Sequence, residues 1–130
     1  MILQPPKVFW HLPKCRCLIC IKHSISLLSN NDVSIISEGS IYFNGTKDNP
    51  IRVFSEENKG SLIFYDNDYS FKNVKFENLS FPKNNSRILY GGINIINSKV
   101  TIIDTEIKNS LSEDGINIIS SNSYIKNLKI

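Results

Sequence analysis

No alanine occurs anywhere in the 130 residues. Alanine is the strongest helix former, and the other good ones never recur here at helical spacing, which speaks against a helical domain. No apolar stretch is long enough to cross a bilayer, so no membrane span is expected. Charge is nearly balanced, with 15 Lys and Arg against 12 Asp and Glu, and the lysines are scattered. A basic stripe with interleaved aromatics is missing, which disfavours nucleic acid as a partner. Phosphate-binding loops, nucleophile elbows and the His-Glu-x-x-His pattern are also missing. Only 3 cysteines are present, an odd number that argues against a disulfide framework.

What the sequence does contain is a repeat. GGINIIN (Gly91–Asn97) returns as DGINIIS (Asp114–Ser120). Shifted by 31 positions, Gly60–Asn78 lands on Gly91–Asn109 without a gap, and Gly92–Ile107 lands on Gly115–Ile130 after a shift of 23. The aligned columns are coherent. Leu62, Ile93 and Ile116 share one, and Phe64, Ile95 and Ile118 another. Phe71/Ile102/Ile125 and Phe76/Ile107/Ile130 follow, with Val74/Thr105/Leu128 between them. Within each unit apolar and polar residues alternate, the period of a strand. Ile, Val, Phe, Tyr and Thr favour strands, and Asn, Asp, Ser and Gly punctuate them as turns.

Several short strands per unit suit a parallel β-helix, in which each strand pairs with its equivalent about 4.8 Å away in the next coil. Asn73/Asp104/Asn127 then forms a turn ladder of stacked amides and a carboxylate. Lys75/Glu106/Lys129 alternates in sign and Glu77 faces Lys108, so the register chosen by apolar columns also pairs the charges. Residues 81–88 (FPKNNSRI) are the extra length in the first interval and read as a turn insertion at one corner, either a binding lip or a tolerated loop. Ser34–Lys59 reads as one or more further coils of less regular pattern.

In that upstream stretch, GSIYFNGTKDNPIRVFS (Gly39–Ser55) resembles the phrase that opens many bacterial right-handed β-helix domains of the pectate-lyase-like superfamily. NVKFEN (Asn73–Asn78) and SEDGINIIS (Ser112–Ser120) resemble its later coils. The resemblance covers residues 32–130. It implies an all-β, right-handed, single-stranded parallel β-helix of about four coils. It also implies a bacterial surface or exported protein, since similar segments stand beside spore-coat-kinase-like domains, although nothing of such a domain is found here. This fold hosts lyases, hydrolases, epimerases, adhesins and scaffolds, so it does not assign an activity.

The two ends differ from the middle. At the third copy the chain stops at Ile130, where Ile125, Leu128 and Ile130 look like interior residues without a polar cap. The expectation is a fragment of a longer protein, or a chain that swaps its open end with a partner. Residues 1–31 form an irregular N-terminal segment or cap without the three-part layout of a secretory signal. Cys15, Cys17, Cys20 and His23 invite a zinc reading, but four ligands this close do not wrap a tetrahedron well. Against zinc stands a capping strand or short helix whose thiols act as small hydrophobes.

No catalytic residue is assigned. The strand face beside the inner ladder carries amides and apolar side chains without paired carboxylates. The candidate ligand-binding residues are Asn94, Asn117, Glu113 and Asp114, with Tyr65 and Tyr90. Stacked amides beside an aromatic would hold a sugar, and Glu113 with Asp114 would add a hard cation such as Ca2+. Against this stands the reading of Asp114 and Asn117 as turn and ladder residues. The expected function is a non-catalytic module, scaffold or carbohydrate-binding. The alternatives are a structural adhesin, or part of a polysaccharide lyase or hydrolase whose catalytic coils lie elsewhere.

Overall fold

The computed structural model describes residues 9–12, 18–27, 33–82 and 89–130, and every regular element among them is a strand. The first pass holds β1 (Phe9–Leu12), β2 (Leu18–Ile21) and β3 (Ile25–Leu27). The second holds β4 (Val33–Ser37), β5 (Ser40–Asn44) and β6 (Ile51–Ser55), and the third β7 (Gly60–Tyr65), β8 (Asp68–Lys72) and β9 (Val74–Glu77). In the fourth, β10 (Gly91–Ile96) leads into one long strand, β11 (Lys99–Lys108). The last repeats that form with β12 (Asp114–Ile119) and β13 (Asn122–Lys129).

Strands of successive passes stack in parallel. One sheet has the order β1-β4-β7-β10-β12, and the second runs β2-β5-β8-β11-β9-β6-β3 with β13 on β11. The protein is therefore a parallel β-solenoid, making about three full turns between β4 and β12. Four passes from β4 to β12 close three complete turns, slightly fewer than the four coils read from the sequence. Ser34–Lys59 supplies one pass, and the described parts of residues 1–31 lie beneath it in both sheets, β1 on β4, β2 on β5 and β3 on β6.

The register is that of the repeat. Leu62 and Phe64 lie against Ile93 and Ile95, which lie in turn against Ile116 and Ile118. In the second sheet Ile102 pairs with Phe71 below and Ile125 above. Inward side chains of these columns form one continuous core. Its centre is aromatic: the Phe71 ring lies 5.4 Å from Phe43, 5.6 Å from Phe64 and 5.1 Å from Phe76. Burying each such side chain stabilises the fold by roughly 1.5–3 kcal/mol.

Corner residues enter the left-handed region, and among the described residues none that does so is glycine. Asp66, Asn97 and Ser120 (φ 53, 50 and 48°) stack at one corner, and Asn73, Asp104 and Asn127 (φ 50, 49 and 59°) at another. Asn and Asp enter this region at low cost because their short side chains bond locally. One rung of the expected ladder is present, the bond from Asn127 Nδ2 to Asp104 Oδ1, 2.7 Å, whereas Asn73 Nδ2 donates to the Gly45 carbonyl at 3.3 Å. The charges also follow the register, since Glu106 lies between Lys75 and Lys129. Glu77 lies opposite Lys108, yet its carboxylate takes a diagonal partner, the Arg52 guanidinium at 2.6 Å.

Candidate functional site

The outer face of the first sheet does not present the expected row of amides. Ile63, Ile96 and Leu89 close a second small apolar cluster there, with Ile36 and Tyr65 packed against it. Leu89 belongs to the connection between β9 and β10, which contains the predicted insertion. Residues 83–88 of that insertion lie outside the described residues, whereas Phe81 is exposed and Pro82 buried.

Asn94 is correspondingly fully buried. Its Nδ2 donates to the Gly91 carbonyl at 2.7 Å and to that of Leu62 at 3.3 Å, and its Oδ1 accepts from Gly91 N–H at 3.1 Å. Asn94, expected on the outer strand face, is thus covered there, and its amide is used within the fold. Asn117 does stack on Asn94, half-buried. Asp114 and Tyr90 are brought together by the bond from Asp114 N–H to the Tyr90 carbonyl, 3.2 Å, and both side chains are exposed, as is that of Glu113. Tyr65 belongs to the apolar cluster. Cys15 and Cys17 lie outside the described residues, while Cys20 and His23 are exposed. Among the described residues no group of three or more His, Cys, Asp or Glu forms a metal cage.

A different face gathers chemistry. On the outer side of the second sheet, Tyr42, Ser70, Thr101 and Tyr124 are successive members of one column. Asp68, Lys99 and Asn122 form the column on one side, and Asn44, Lys72, Ile103 and Lys126 that on the other. A shallow groove of about 280 Å³ runs over this patch, lined by Tyr42, Asp68, Ser70, Lys72, Lys99 and Thr101. Tyr124 stands 60% exposed at its upper end. With rungs about 4.8 Å apart, the two tyrosines are separated by roughly 14 Å. The position of the column was legible in the repeat, since Ser70, Thr101 and Tyr124 are related by the same two shifts as the core ladders. Missing from the sequence was a reason to prefer this outer face over that of the first sheet.

Two further features bear on what the surface can do. A polar corner groove of about 510 Å³ carries Asp66, Asn97, Ser98 and Ser121, but these groups largely satisfy one another. Asn97 Nδ2 donates to Asp66 Oδ1 at 2.9 Å, and Ser121 Oγ accepts from Ser98 N–H at 2.9 Å. Elsewhere the hydrogen bond from Arg52, followed by the charges of Arg52 and nearby lysines, holds the Glu77 carboxyl below the usual carboxylate range. Burial pushes the Tyr69 hydroxyl, inside the core, up to about 12.

No family model, curated protein or solved structure matches the chain.

Proposed function

We propose that the chain is a non-catalytic β-solenoid module of pectate-lyase-like type, from a bacterial surface or exported protein, which offers the outer face of its second sheet to carbohydrate. The supporting observation is the column Tyr42, Ser70, Thr101, Tyr124 with Lys72 and Lys99 beside it. A sugar ring has an apolar face that stacks on an aromatic ring and hydroxyls that bond to Ser, Thr and Lys. The stack of strands presents both kinds of group along one line, on a rigid scaffold, with little ordering left to do on binding.

The lining of the groove supports binding without turnover, since Asp68 is the one carboxylate among its residues. Glycoside chemistry needs a pair of carboxyl groups free to exchange protons or attack. Here Glu77 is tied to Arg52 at 2.6 Å, Glu106 to Lys129 at 3.5 Å, and Asp66 and Asp104 to stacked asparagines. Each of these carboxylates has a structural partner already.

A glycan array probed with the chain tests the reading. Binding is expected, and Tyr42→Ala combined with Tyr124→Ala should weaken it by about tenfold or more, equivalent to about 1.4 kcal/mol. Binding that ignores both substitutions would place the sugar site elsewhere, and an array with no signal would leave the scaffold role alone.

A further inference from the structure

Asn44-Gly45 is the one place in the sequence where asparagine precedes glycine. That dipeptide is chemically labile. The glycine nitrogen, once it loses its proton to solvent base, attacks the asparagine Cγ and expels ammonia, leaving a cyclic succinimide. Water then opens the ring at either carbonyl, giving aspartate or isoaspartate. The balance is amide plus water to acid plus ammonia, with no redox step and no co-reactant.

The fold holds this pair shut. Asn44 ends β5 with an exposed side chain, so solvent reaches it. The attacking atom is the restrained partner, since Gly45 N–H donates to the Lys72 carbonyl at 2.9 Å. On the other side of the residue, Asn73 Nδ2 donates to the Gly45 carbonyl at 3.3 Å. Glycine is required here by space rather than by φ. A Cβ on Gly45 would press on the Asn73 carbonyl oxygen and lie 2.9 Å from Ile51 N. The corner therefore needs the residue that makes Asn44 labile, and the same corner immobilises it.

We propose that Asn44–Gly45 is a self-modification site gated by folding: closed in the native corner, converted when that corner opens. Conversion works against refolding. Isoaspartate adds a methylene to the backbone directly after Phe43, whose ring lies 5.4 Å from Phe71 in the core. It also places a carboxylate opposite Lys72, on the face offered above to carbohydrate. The proposal stands on the corner's geometry and does not depend on that carbohydrate reading.

The test is incubation of the full chain at mildly alkaline pH, native or in denaturing urea, followed by mass spectrometry of the peptide spanning Asn44 and Gly45. Conversion should be at least about tenfold slower in the native chain, where it must wait for local opening worth about 1.4 kcal/mol or more. Asn73→Gly keeps the left-handed corner accessible but removes the amide bond to Gly45. It should speed native conversion severalfold and leave the rate in urea unchanged. Asn44→Gln should keep its refolding yield after long exposure to urea, while the parent chain loses it in step with conversion. Equal rates in native and unfolded chains would overturn the proposal, as would full recovery of structure by the converted protein.

Discussion

β10 and β12 carry almost the same residues, GGINII and DGINII, and live in different environments. All six residues of β10 are buried, whereas β12 is half-buried at its centre and exposed at both ends. The same holds in the second sheet. Ile102 of β11 is fully buried, and Ile125, its partner in β13, is 45% exposed. In a solenoid, then, burial is a property of position in the stack. Ile102 lies between two coils and Ile125 against one, so like letters carry different energies in the middle and in the last pass, although Ile25 and Leu27 of the first pass are buried all the same.

The largest effect expected from this contrast is in the aromatic column. Phe71→Ala should cost roughly 3–5 kcal/mol, because it removes the ring at the centre of the cluster and leaves a cavity between coils. Ile125→Ala, in the same column of the last coil, should cost under about 1 kcal/mol. Urea denaturation of both variants measures the difference. Similar losses would break the comparison, since the last coil would then be as deeply packed in solution as the middle ones.

A second, smaller effect separates inside from outside by pH. Tyr69 is buried, and its one hydroxyl proton is shared between the carbonyls of Tyr65 at 2.6 Å and Ser37 at 3.0 Å. Its folded value of about 12 exceeds the ordinary 10.0, so the folded state holds the proton more tightly. The resulting stability is complete below pH 10 and is lost as pH rises from 10 towards 12, by roughly 2–3 kcal/mol in all. Other groups titrate in the same window, so the measurement is the difference between the parent and Tyr69→Phe. The variant should be less stable at pH 8 and should lose less on going to pH 11. Parallel stability curves would show that the hydroxyl is not desolvated as drawn.

Much of this architecture was written in the sequence because stacking makes it one-dimensional. Once Leu62 aligned with Ile93 and Ile116, every other column followed, including the left-handed corner of Asn73, Asp104 and Asn127. The opposed charges at Glu106 came with the same register. Two things were not legible. Glu77 sits opposite Lys108 in the ladder but pairs diagonally with Arg52, because a long guanidinium spans a rung at an angle and register does not fix side-chain direction. The covering of the first sheet by Leu89 was hidden for another reason. Leu89 falls outside the repeat, so no column announces its contact with Ile63 and Ile96. Asn94 lies buried beneath that covering, whereas Ser70, Thr101 and Tyr124 of the second sheet follow from the same two shifts as the core.

The smallest predicted effect tests the covered face directly. Asn94 and Asn117 occupy one column, in the middle and last coils respectively. If the middle amide is structural, Asn94→Ala leaves the buried Gly91 N–H without its side-chain acceptor, and should cost roughly 1–3 kcal/mol. Asn117→Ala lies in the half-buried last coil, where water can replace a lost partner, and should change stability by less than about 0.5 kcal/mol. Neither substitution should alter binding on a glycan array, because both lie on the first sheet and the tyrosine column lies on the second. A stability-neutral Asn94→Ala that abolished glycan binding would reverse the assignment of faces and return the site to the first sheet.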